Sequence, residues 1–112
     1  MKPEGHLRKA EAFERRARKW DGTEDEVPSV VEDIFNAAVH YVAYGINIRY
    51  GQDIDGHNMQ KRALRDKKEF HVWQAFQDME SARVRAVYGA SWDIEIVKIV
   101  MAKLEEIKQW SD

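Results

Sequence analysis

The sequence predicts an all-α fold, an antiparallel up-and-down bundle of four main helices plus one short helix. Proline occurs only at Pro3 and Pro28, so no residue after 28 lacks the N–H that a helix needs. Apolar residues recur at steps of three and four through four long segments, which is the helical period. Gly- and Asp-containing breaks between the segments are short, which suits antiparallel neighbours. At 112 residues the chain forms one domain, 1–112.

The first segment spans about 5–20 and places Leu7, Ala10, Phe13, Ala17 and Trp20 on one face. Asp21-Gly22 is a stop signal. The second segment starts near Pro28, where Ser29-Val30-Val31-Glu32 fits a capping box. From Val30 to Tyr50 it is apolar on nearly every side, the pattern of a central helix, and includes Val39, Ile46 and Ile48. Gly45 within it costs about 1 kcal/mol relative to Ala, which a closely crossing neighbour would explain. Residues 51–56 form a loop, with Asp55 as the N-cap of a short helix from His57 to about Arg65 anchored by Met59, Ala63 and Leu64. The next helix spans about Glu69–Tyr88, with Val72, Trp73, Phe76, Met79, Ala82, Ala86 and Val87 as its buried stripe and Gly89 as its stop. Ser91 caps the last helix, Asp93 lies in its first turn, and Ile94, Val97, Val100, Met101, Leu104 and Ile107 keep a 3.6-residue period.

Composition narrows the function. There are no cysteines, which excludes disulfides, thiolate zinc sites and a cysteine nucleophile. No run of 18 uncharged apolar residues is present, so no membrane span is expected. The polar start, Met1 to His6, lacks a signal peptide's apolar run. A cytoplasmic protein is expected. The net charge of −2 argues against coating nucleic acid by bulk electrostatics. Local basic clusters remain at residues 8–19 and at Lys61, Arg62, Arg65, Lys67 and Lys68. They read either as solvated helix faces or as phosphate-facing surfaces.

Common site motifs are missing. No HExxH, P-loop, GxGxxG or GxSxG sequence occurs. Asp53-Ile54-Asp55-Gly56 fails as a calcium loop, because Gly51 and Arg62 fall where the first and last acidic ligands belong. No metal site and no cofactor are expected. Arg65 and His71 could in principle cleave RNA without a metal, His71 moving protons and Arg65 stabilising phosphorane charge. In one straight helix a six-residue step turns their side chains about 120° apart. They converge only across a helix break or between two copies of the chain. The other reading is that Arg65 is surface charge and His71 sits at a helix start. His40 and Tyr44, one turn apart, either line a polar pocket or are core groups with polar tips. Arg83 and Tyr88 end the third long helix, where Arg also caps terminal carbonyls by snorkelling.

The arrangement resembles the HEPN family (higher eukaryotes and prokaryotes nucleotide-binding), especially its small stand-alone prokaryotic members. The similarity covers about residues 6–108. It rests on Ala37-Ala38-Val39-His40-Tyr41-Val42-Ala43-Tyr44, on Gly56-His57, on Phe76 through Met79-Glu80-Ser81-Ala82-Arg83 with Tyr88, and on Arg65-Asp66-x4-His71. The resemblance implies a helical bundle that pairs as a homodimer. It further implies a toxin–antitoxin context, with one of two activities. One is binding of a nucleotide, RNA or a partner nucleotidyltransferase, for which His40, Tyr44, His57, Arg83 and Tyr88 are the candidate residues. The other is metal-independent endoribonuclease action through Arg65 and His71. A structural interaction module without a ligand is the third reading.

Overall fold

The structure is a computed structural model that describes residues 2–89 and 92–112. Among the described residues, five α-helices make up the fold: α1 (Pro3–Arg18), α2 (Val27–Tyr50), α3 (His57–Asp66), α4 (Phe70–Arg83) and α5 (Ile94–Ser111). A 3-10 turn, Glu24–Glu26, leads into α2, and a π-helical turn, Val84–Tyr88, follows α4. Among the described residues there is no strand, and no helix is long and apolar enough to cross a membrane.

Side-chain pairs fix the helix directions. Arg16–Asp33 and His6–His40 join α1 to α2 in opposite sequence order. Arg83–Glu32 and the stacked Phe35–Phe76 pair do the same for α2 and α4. Lys103–Asp78 and His71–Glu106 do so for α4 and α5. The four long helices therefore alternate up and down. The central rod is α2, whose Val31, Ile34, Ala38, Tyr41, Val42 and Ile46 are all buried. Its last turn leaves the core, and Ile48 and Tyr50 are exposed.

Local details depart from the sequence expectations for identifiable reasons. The Ser29–Glu32 capping box does not form: α2 already begins at Val27, with Pro28 in its first turn, and Glu32 instead holds Arg83. Asp55 does not cap α3. Gly56 occupies that position at φ 87° without a side-chain cap, while Asp55 turns to His6. In α3 the anchor is Gln60 rather than Met59, which is exposed. Gln60 Nε2 donates to the carbonyls of Val39 at 3.1 Å and Ile54 at 3.0 Å, so a polar side chain ties the loop to α2. Gly89 is the stop the sequence marks, extended at φ −94° and ψ −172°, but the turn it closes, Val84–Tyr88, is π-helical. Ser91 lies outside the described residues. Asp93 is the N-cap of α5, its carboxylate accepting from the Glu95 N–H at 2.9 Å. Ile96 takes the buried place expected for Ile94.

The face of α1 is narrower than its apolar spacing suggests. Ala10 and Ala17 are buried, while Leu7, Phe13 and Trp20 are only half-covered. Small alanines bring α1 close to α2, and that approach buries two polar residues, His6 and Glu14.

Candidate functional site

A groove opens between α3 and α4. Asn58, Lys61, Arg62, Arg65, Asp66, Phe70 and Trp73 line it, around about 610 Å³. A reversal of the chain creates it. Lys68 takes a left-handed conformation at φ 60°, and the Glu69 N–H returns to the Leu64 carbonyl at 2.8 Å. Helix α3 thus stops at Asp66 and α4 restarts at Phe70. Phe70 and Trp73, three residues apart, share the α4 face turned to α3. The Arg65 guanidinium lies 5.5 Å from the Trp73 ring centre, and Phe70 is 59% exposed. Lys61 is already engaged by Glu80 at 2.8 Å and Gln77 at 3.1 Å. Arg62 and Arg65 are therefore the cations the groove offers to an anion, with Asp66 opposing them.

The break between Arg65 and His71 does not bring the two together in one chain. His71 and Trp73 are two residues apart on α4, about 200° around the helix axis. Arg65 lies over Trp73, so His71 points away, and its Nε2 sits 3.9 Å from Glu106 of α5. The His71 side chain is 81% exposed.

The other expected binding residues fall in separate places. Arg83 Nε donates to both Glu32 carboxylate oxygens, at 3.0 and 3.1 Å, and its guanidinium lies 4.9 Å from the Phe35 ring and 5.7 Å from the Tyr88 ring. Hydrogen bonding to Glu32 raises the Arg83 pKa above its ordinary value. His57 meets Phe35 edge-on and faces Glu80 at 3.3 Å. Phe35 thus joins His57 and Arg83, while Tyr88 is 70% exposed. His40 belongs to another cluster. It stacks on Phe13 with centroids 6.0 Å apart and lines an opening of about 400 Å³ with Lys9, Ala12, Phe13 and Arg16. Tyr44, one turn on, is half-buried and does not line that opening. Burial first, and then the neighbouring His6 and Lys9, lower the His40 pKa below the usual histidine value, with Asp55 opposing.

Behind His40 lies a group the sequence did not mark. His6 is wholly buried. Its Nδ1 is 3.1 Å from His40 Nδ1, and its Nε2 is 3.0 Å from Asp53 Oδ1 and 3.5 Å from Asp55 Oδ1. His6, Asp53 and Asp55 could together hold a metal ion. His6 is 47 positions from Asp53, so no local spacing announces the cluster. The one signal was position: His6 lies four residues before Ala10, on the face that meets α2.

Comparisons with family models, curated proteins and solved structures find no match for this chain.

Proposed function

We propose that this protein binds the phosphates and bases of a nucleotide or single-stranded RNA in the α3–α4 groove, as a homodimeric bundle of the kind the HEPN resemblance implies. The observation that carries this reading is the pairing of Arg65 with Trp73 beside Arg62 and the exposed Phe70. Guanidinium groups match phosphate geometry, and exposed aromatic rings give bases a stacking surface. A partner nucleotidyltransferase would extend the same toxin–antitoxin reading to a protein ligand.

Fluorescence anisotropy with a labelled single-stranded RNA, in low salt, tests the groove. Binding that weakens at least tenfold in Arg62→Ala and Arg65→Ala supports it, and absence of binding removes it. Light scattering at micromolar concentration tests the dimer: a mass near 13.2 kDa, that of one chain, contradicts it.

A second reading is metal-independent RNA cleavage by Arg65 and His71. Both side chains are exposed and they face different ways, so this chemistry requires the Arg65 of one copy to meet the His71 of another. Cleavage of the same RNA in EDTA, abolished by His71→Ala, supports it; intact RNA across the near-neutral range where His titrates eliminates it. If RNA is neither bound nor cut, the bundle acts as an interaction module.

A further inference from the structure

The loop between α2 and α3 folds back onto the first turns of α1, bringing two of its acids to one buried imidazole. His6 Nε2 lies 3.0 Å from Asp53 Oδ1 and 3.5 Å from Asp55 Oδ1. Two carboxylates, from positions 53 and 55, converge on that one nitrogen. In a tetrahedral site with bonds of about 2.0–2.2 Å, neighbouring donor atoms stand roughly 3.3–3.6 Å apart. The two separations at His6 are within a few tenths of an ångström of that spacing. The buried imidazole is the feature that separates this group from surface carboxylates: His6 is 0% exposed and its orientation is fixed from behind by His40.

We propose that His6, Asp53 and Asp55 form a binding site for a divalent transition-metal ion, with Zn²⁺ the best match. One nitrogen and two carboxylate oxygens suit Zn²⁺, whereas Ca²⁺ demands six to eight oxygens. The side chains of Asp53 and Asp55 are 38% and 72% exposed, so the ion enters from solvent, and water completes its coordination.

Binding would reset the histidine pair. Without the ion, Nε2–H of His6 donates to Asp53, and Nδ1 of His6 accepts from Nδ1–H of His40. With the ion on Nε2, the His6 proton resides on Nδ1 and is donated to His40 Nδ1, and the His40 proton moves to Nε2. Written this way, the step conserves the protons of the pair. His40 thus becomes the outer hydrogen-bond partner that orients a metal-bound imidazole.

The experiment uses chelator-treated full chain, titrated with ZnCl₂ by calorimetry and followed by ¹⁵N spectra of the histidine rings. The expected result is one ion per chain, with His6 and His40 exchanging tautomers. Asp55→Asn, at an exposed position that leaves the fold intact, should weaken binding at least tenfold. His71→Ala, which removes the exposed pair of α4 with Glu106 of α5, should leave it unchanged. No binding up to millimolar ZnCl₂ overturns the proposal. So does binding that survives Asp55→Asn undiminished, or that shifts His57 or His71 in place of His6. None of these results depends on RNA binding in the α3–α4 groove.

Discussion

The ring of Trp110 lies directly against Gly45. A Cβ at position 45 would come within 2.8 Å of Trp110 Cη2 and 2.9 Å of Cε3. The same indole donates from Nε1 to the carboxylate of Glu69, just before α4. Arg49 stacks 5.0 Å from the ring centre and donates to the Trp110 carbonyl at 2.6 Å. One residue near the end of α5 therefore ties down the second half of α2 and the start of α4, and the missing side chain at 45 makes room for it.

Gly45→Ala sets two effects against each other. Helix propensity favours Ala by about 1 kcal/mol. Overpacking against a ring held on three sides costs about 1–3 kcal/mol, and the ring cannot yield without giving up Glu69 and Arg49. The expected outcome is net destabilisation of about 1 kcal/mol, read as a lower urea midpoint. In a Trp110→Ala background the same substitution should become stabilising. A stabilised Gly45→Ala single variant would show that the indole moves freely.

Acid should unfold this bundle through Glu14. Its carboxylate is buried among Tyr41, whose hydroxyl donates at 2.6 Å, Arg18 at 2.7 Å and Lys108 at 3.3 Å. Burial alone would raise its pKa, but the hydrogen bonds from Tyr41, Arg18 and Lys108 outweigh it and the net shift is downward. A depressed folded-state pKa gives stability that is present above the unfolded value, near 4.5, and lost as pH falls through the folded value. The urea midpoint should therefore decline below about pH 4.5. Glu14→Gln should lower stability at pH 7 by about 2 kcal/mol, the scale of a hydrogen bond to a charged group, and flatten the acid limb. An unchanged acid limb would place the linkage elsewhere.

The same contact acts at the alkaline end. Burial, and then the hydrogen bond to Glu14, raise the Tyr41 pKa well above the usual tyrosine value of 10. Stability linked to this phenol is complete below pH 10 and lost as pH rises toward the folded-state value. In a titration followed at 295 nm, the ionisation of Tyr41 should coincide with unfolding seen by circular dichroism. Tyr41→Phe should remove that component of the alkaline transition. Ionisation of Tyr41 in a still-folded chain would contradict the buried contact.

The helices were legible because their apolar period is long and uninterrupted. Val72, Phe76, Met79 and Ala82, or Val97, Val100, Leu104 and Ile107, are buried as that period predicts. The ends were less legible. Ser29 and Asp55 each carry a local signal for a cap, and each lost to another effect, an earlier helix start and the pull of His6 on the loop, whereas Gly89 does end the helical run. Buried polar residues were invisible for a related reason. His6, Glu14 and Gln60 break the apolar pattern and are paid for by partners far along the chain, which spacing does not reveal. The groove was half legible: Arg62 and Arg65 stood out as charge, but only the turn at Lys68 sets Trp73 beneath Arg65 and sends His71 the other way.

Salt should separate the groove's exposed arginines from its committed lysine. For single strands, log affinity falls with log salt by about 0.7 for each phosphate neutralised. Arg62 and Arg65 are exposed and face the groove, so each Ala substitution should weaken RNA binding and make the salt slope shallower by about 0.7. Lys61 lines the same groove, but its ammonium is held by Glu80 and Gln77. Lys61→Met should therefore cost stability, because it takes the ammonium from the Glu80 carboxylate and leaves His57 at 3.3 Å beside it, while changing the salt slope little. Anisotropy titrations from about 50 to 200 mM salt measure all three slopes. Equal slopes for all three variants and the parent chain would show that the phosphates bind on another face.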